Sequence, residues 1–321
     1  MSKIDVIIPV YKPDDKLKKL LEGLKKQTVK PDRLILLWTI PDGIAKEDID
    51  TDEYVSCYEG DEHITDVEIQ FIKQSEFDHG GTRAFGMSLS EADFVMCMTQ
   101  DAVPYNDVLV EKLLEKFNIE GVAAVYARQL PREDAALTER ITREFNYPDS
   151  DRIQNNESLK KYGIKTYFCS DVCAMYKKMC YDEAGGFVKR TIFNEDMIMA
   201  ANLVKLGYTV IYNHEAQVVH SHHYSYREQY RRNFDLAVSQ KEHPEVFEGV
   251  PSEGEGIKMV FTIMGKLIKA GKLYLIPDLF IESAFKYLGY RKGKSFQKLS
   301  DRQIMKVTMN KSYWLEKERT N

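Results

Sequence analysis

The strongest constraint on this chain is an alternation that begins at its first residues. "KIDVIIPVY" is a near-continuous Ile/Val run, the pattern of a strand covered on both faces. "PDDKLKKLLEGLKKQ" follows, opening on Pro13, Asp14 and Asp15 and carrying Leu17, Leu20, Leu21 and Leu24 at helical spacing. "DRLILLWT" and "VEIQFIKQ" are two more strand-like runs, "GTRAFGMSLSEA" a helix, and "DFVMCMTQDAVP" a fourth strand that ends abruptly at one carboxylate, Asp101. A helix from Asn106 to Phe117 and a strand at "GVAAVYARQ" continue the series. Such a βαβ series folds into a mostly parallel sheet flanked by helices, with ligands gathered at the carboxyl ends of the strands. Asp101, preceded by Thr99 and Gln100, stands at such an end. The plain alternative is a polar cap where a buried strand meets solvent.

Beyond the series, residues 131–163 are polar and weakly patterned, an excursion rather than a linker. Apolar order returns with "KTYFCSDVCAMYKK", a turn at "EAGGF", a helix beginning near Asn194 and stopped by Gly207, and two short strands, "YTVIYN" and "AQVVHSH". From Tyr226 the chain becomes basic, aromatic and helical. In "GIKMVFTIMGKLIKAGK", Ile257, Val260, Phe261, Met264, Leu267 and Ile268 form one stripe, which suits either a helix on a membrane surface or one packed on the rest of the protein.

The net charge of −5 is unevenly spread: from Gly256 to Asn321 there are 14 Lys and Arg against 5 Asp and Glu. A basic end on an acidic body is drawn to phosphate-bearing surfaces, although a solvated lysine face has the same composition. No nucleic-acid-binding module is recognisable, so nucleic acid is not an expected partner. Five scattered cysteines, an odd number, argue against a disulfide framework and for a reducing compartment. The N-terminus lacks a signal-peptide pattern, and no window approaches the ~20 apolar residues that span a bilayer. The expected location is the cytoplasm, peripheral at the inner face of the cell membrane.

Three further stretches combine reactive residues with element ends. In "FDHGGTRAFG", Gly80 and Gly81 let main-chain N–H groups approach a ligand at a helix start, with Arg83 one turn in; taken alone the signal is weak, and an ordinary glycine turn with a surface Arg is the more common source of it. In "NED", Glu195 and Asp196 occupy a first helical turn, where the dipole favours negative charge. Adjacent helical positions point about 100° apart, so one of the two leads into any given site. In "VVHSHHYS", His220 and His222 share a face if the strand persists, and with a carboxylate they suit a divalent cation such as Mn²⁺.

Taken in order, "IPVYKP", "HGGTR", "TQDAVP", "RQLP", "FNYP", "GGF", "NED", "VVHSH", "REQYRRNFD" and the closing "YLGYRKGKSFQKL…NKSYW" resemble the family 2 glycosyltransferases, and within them the bacterial rhamnosyltransferases of surface-polysaccharide assembly. The resemblance covers roughly the whole chain. It implies a GT-A fold over residues 1–225, with a donor-binding half to about residue 104 and an acceptor half to 225, then a helical basic extension over 226–321. It also implies a nucleotide-diphospho-sugar donor, best matched to dTDP-L-rhamnose, a lipid-linked or polymeric glycan acceptor, a divalent cation (Mn²⁺ or Mg²⁺) and inversion at the anomeric carbon. By position, Thr99 and Asp101 occupy the family's Asp-x-Asp, so the neutral Thr99 leaves metal binding to Asp101, His220 and His222. Asp196 takes the place of the general base, with Glu195 beside it. Donor contacts fall on Pro9, Tyr11, Thr39, His79, Gly81, Arg83, Gln100, Asp101, Gln229 and Arg232. A different sugar donor, or a non-catalytic glycan-binding subunit of the same fold, is the alternative.

Overall fold

The structure, a computed structural model, describes residues 2–58, 66–250 and 253–319; Thr320 and Asn321 of the basic segment, and the Cys57 side chain, lie outside the described atoms. The chain divides into two compact units: Met1–Leu130, Tyr147–Arg190 and Glu195–His220 form the first, and Pro131–Asn146, Thr191–Asn194 and Ser221–Asn321 the second.

Among the described residues, the first unit is built on a nine-stranded mixed sheet. Its parallel half sets β1 (Ile4–Val10) between β2 (Arg33–Ile40) and β4 (Phe94–Met98), with β3 (Asp66–Lys73) outside β2. The sequence alternation dictates this half, because each Ile/Val-rich strand is covered on both sides. Leu17, Leu20, Leu21 and Leu24, the apolar stripe of helix Asp15–Lys25, are wholly buried in the same core as Val6, Ile8, Leu34, Leu36 and Met96. On the other face Gly86 of helix His79–Ser88 lies so close to the sheet that a Cβ there would stand 2.7 Å from Ile7 and 2.9 Å from Leu37. That approach sets the start of the helix over the carboxyl ends of the strands.

Beyond β4 the pairing changes. β5 (Val103–Pro104), β6 (Val122–Leu130), β7 (Arg152–Gln154), β8 (Cys173–Lys177) and β9 (Thr209–Val219) complete the sheet. β8 runs antiparallel between β4 and β6, β6 and β9 are parallel, and β5 and β7 each pair antiparallel with β9. Where the sequence suggests two strands, "YTVIYN" and "AQVVHSH", there is one. The interruption is a register shift opposite Ala127 and Arg128, which jumps from Asn213 to Gln217 and leaves His214–Ala216 bulged.

The second unit is helical. Helices Tyr226–Glu242 and Ile276–Lys294 pack closely, with Gly289 and Gly293 bringing the second helix against the Tyr230 and Phe234 carbonyls of the first. Phe234, Val238, Phe296, Ile304 and Tyr313 form one cluster; Ile141, Ile263, Leu267 and Leu279 form another. Helix Glu253–Lys269 therefore does not carry a single stripe. Ile263 and Leu267 are buried, whereas Ile257 (60% exposed), Phe261 (62%) and Ile268 (51%) face solvent. Tyr274, Phe280, Ile281 and Leu288 are exposed as well. Among the described residues, no helix is long and apolar enough to cross a membrane.

Candidate active site

The carboxyl end of the parallel half carries several of the expected positions. The Tyr11 N–H donates to Gln100 Oε1 at 2.7 Å and the Gln100 amide donates back to the Tyr11 carbonyl at 2.9 Å, so the ends of β1 and β4 are laced by one side chain. The Tyr11 hydroxyl reaches Gln74 Oε1 at 3.0 Å. Pro9 sits two residues earlier in β1, in register with Leu37. Thr39, at the end of β2, and Thr99, just past β4, bury their hydroxyl oxygens without a hydrogen-bond partner.

Helix His79–Ser88 is capped by Asp78, whose Oδ1 accepts from the Gly81 N–H at 2.7 Å. Gly81 is required for packing: a Cβ there would stand 2.6 Å from the Lys189 carbonyl oxygen. The His79 ring sits edge-on to Phe77. Arg83 points inward and is buried. Its Nη1 donates to Glu195 Oε1 at 2.9 Å, and its Nε lies 3.5 Å from Asp171 Oδ2. Glu195 and Asp196 open helix Glu195–Lys205, and, as their spacing requires, they diverge. Glu195 meets Arg83, whereas Asp196 Oδ2 accepts from the Asp171 N–H at 3.3 Å and its Oδ1 from the Met197 N–H at 2.7 Å. Burial, reinforced by the charges of Glu195 and Asp171, pushes the Asp196 carboxyl well up.

Asp101 faces His220, with Oδ1 and Nε2 3.5 Å apart. Gln129, in β6, explains the orientation of that ring. Its amide nitrogen donates to the Tyr147 hydroxyl at 2.6 Å and to Ser170 Oγ at 2.9 Å, which leaves Oε1 to accept from His220 Nδ1 at 3.0 Å. With Nδ1 carrying the proton, the Nε2 lone pair is turned toward Asp101. A carboxylate oxygen and an imidazole lone pair at this separation form the donor pair expected of a cation site, held by an outer hydrogen bond that fixes the tautomer. The strand does not persist through the histidines: β9 ends at Val219, so His220 is buried while His222, two residues on, is exposed.

The remaining expected residues belong to the second unit. Arg232 lies over the rings of Phe193 (4.6 Å) and Tyr224 (5.6 Å), and Tyr224 stacks on His222. The Gln229 amide donates to Glu282 Oε1 at 3.1 Å. Residue patterns left three participants unnoticed: Gln74, Gln129 and Asp171. Gln129 falls within the "RQLP" run, but nothing local marks it as the orienter of a histidine 91 residues away.

The family model for Glycosyl transferase family 2 matches residues 5–185. The chain belongs to glycosyl transferase family 2. This glycosyltransferase is 35% identical to the O-antigen chain rhamnosyltransferase WbaN of Salmonella anatum, over 98% of its own length and 96% of the relative's. It is 34% identical to the O-antigen chain rhamnosyltransferase RfbN of Salmonella typhimurium, over 97% and 96%. Among solved structures it is similar to the mannosyltransferase PcManGT of Pyrobaculum calidifontis in complex with GDP-Man and Mn²⁺, at TM-score 0.61 and 13% identity over 93% of this chain and 88% of that one. It is also similar to S. aureus TarS 1–349 in complex with UDP, at TM-score 0.52 and 14% identity over 92% and 91%. At such identities the likeness is one of fold, and the fold is GT-A.

Proposed function

We propose that this glycosyltransferase moves L-rhamnose from dTDP-L-rhamnose onto a hydroxyl of a lipid-linked or polymeric cell-surface glycan, with inversion at the anomeric carbon. The observation that carries the reading is identity of 34–35% over nearly full length to two proteins named as O-antigen chain rhamnosyltransferases.

The donor half of the site offers Pro9, Tyr11, Thr39, His79, Gly81 and Gln100 around the strand ends; the partnerless buried hydroxyls of Thr39 and Thr99 are polar atoms that a nucleotide can satisfy. Arg83 serves the donor indirectly, by holding Glu195 and so the start of the helix that carries Asp196. The donor set of Asp101 and His220, with His222 as a third ligand, fits a divalent cation such as Mn²⁺. Such an ion, when bound, neutralises charge on the leaving diphosphate.

Asp196 acts as general base. The acceptor oxygen bonds to the anomeric carbon as the bond to the diphosphate breaks, and the acceptor proton passes to Asp196. Its raised affinity for protons suits that task. Asp196→Asn is expected to lower turnover about 10²–10⁴-fold while leaving donor binding near wild-type; turnover that survives the change removes Asp196 as base. The donor is tested by heating the protein with a panel of nucleotide sugars with and without Mn²⁺. Metal-dependent stabilisation is expected from dTDP-L-rhamnose, and stabilisation by another sugar nucleotide instead reassigns the donor.

The protein meets its acceptor at the inner face of the cell membrane. Support comes from the C-terminal segment, where exposed Phe261, Ile268, Tyr274, Phe280 and Ile281 share helices and their connection with Lys266, Lys269, Lys272, Arg291, Lys292 and Lys294. An apolar surface edged by lysines is suited to an anionic bilayer.

A further inference from the structure

Asp171, in the turn before β8, is 2% exposed, and the chemistry above leaves its carboxylate without a task. Three contacts define it. Its main-chain N–H donates to Asp196 Oδ2 at 3.3 Å, its Oδ1 accepts from the Tyr176 hydroxyl at 2.7 Å, and its Oδ2 lies 3.5 Å from Arg83 Nε. Both oxygens of Asp196 are therefore held by main-chain amides, one from its own helix and one from Asp171.

We propose that Asp171 is a positioning residue for glycosyl transfer: its amide fixes the Asp196 carboxylate, and its own carboxylate, clamped between Arg83 and Tyr176, supplies the negative charge that makes Asp196 receptive to the acceptor's proton. The inference rests on the reading of Asp196 as base.

The groups around the pair show why the charge matters. Arg83 faces it from helix His79–Ser88, Glu195 from the helix of Asp196, Cys97 from β4, Cys169 from the preceding loop, and Cys173 and Tyr176 from β8. Burial pushes the three thiols and the phenol up, so all four stay neutral at neutral pH. What remains is one guanidinium among three carboxylates, with Arg83, Asp171 and Glu195 buried and Asp196 half-buried beside them. A single cation leaves an excess of negative charge there, and a proton arriving on Asp196 relieves it. Burial, opposed by Arg83, also places the Asp171 carboxyl at about 7.

Asp171→Asn keeps the main-chain donor and an oxygen for Tyr176 but removes the charge. The acidic limb of the kcat/KM profile is expected to move to lower pH by about one unit or more. At neutral pH kcat falls several-fold while KM for the donor stays near wild-type. Tyr176→Phe provides a second route: without the phenol Asp171 holds its proton more tightly, so the limb moves the same way by a smaller step. Limbs that stay in place in both folded variants overturn the role. Asp196→Asn separates the two readings. If it abolishes turnover while the Asp171 variants leave the limb unmoved, only the positioning role fails; if it retains turnover, the base assignment and this inference fall together.

Discussion

Gln129 shows how much a single buried amide can determine. Two donors to Tyr147 and Ser170 fix which way its side chain faces, and the remaining oxygen then fixes which nitrogen of His220 carries the proton. Gln129→Leu removes that control without touching Asp101 or His220. Mn²⁺ affinity is expected to fall about 10–100-fold, read by titrating the protein with Mn²⁺ in the presence of a nucleotide donor, and unchanged affinity would deny the amide its orienting role. The sequence pointed to Asp101, Glu195, Asp196 and His220 through their places at element ends. Gln129 and Asp171 were illegible because their importance comes from partners 91 and 25 residues away, a relation that spacing does not record. Arg83 was legible as a residue but not in direction: only packing reveals that its guanidinium turns inward to Glu195.

At the scale of elements, periodic segments are legible in the sequence and mixed ones are not. The buried leucines of helix Asp15–Lys25 follow from spacing alone. Helix Glu253–Lys269 carries apolar residues on two faces, and periodicity cannot say which face finds a neighbour; Ile263 and Leu267 do, Ile257 and Phe261 do not. The antiparallel entry of β8 between β4 and β6 is likewise a pairing that no local pattern specifies. A testable element lies at the end of the chain. Asp235 of helix Tyr226–Glu242 accepts from Thr308 Oγ1 at 2.7 Å and from the Met309 N–H at 2.8 Å, tying down the segment after helix Asp301–Val307. Burial raises its carboxyl from 3.8 to about 6 despite those bonds. Between these values the folded state binds the extra proton. Stability should therefore rise as pH falls from about 6 toward 4 and be lost again as pH climbs, by about 3 kcal/mol at most from this group. Asp235→Asn, which retains an acceptor oxygen, is expected to flatten that part of the pH–stability curve in denaturant titrations. A wild-type slope persisting in the variant would assign it to another carboxyl.

At the scale of the whole molecule, charge and exposed apolar surface gather in the same C-terminal residues. Adsorption by charge alone weakens as salt screens it, whereas burial of Phe261, Tyr274 and Ile281 in a bilayer does not. Sedimentation with anionic vesicles is expected to show binding that declines with salt but keeps a salt-resistant remainder, and Phe261→Glu with Ile281→Glu should remove the remainder. Binding abolished by salt in the unaltered protein would leave charge as the sole attraction.

The cysteines carry a practical consequence. Cys97, Cys169, Cys173 and Cys180 are all free and all buried, three of them around Asp171 and Arg83. A thiol reagent in solution reaches them only when the surrounding structure opens, and burial keeps the thiolates of Cys97, Cys169 and Cys173 scarce until then. The protein thus contains its own label for opening events around Asp171 and Arg83: the rate of thiol modification, with and without donor, is a clock for how often that region comes apart.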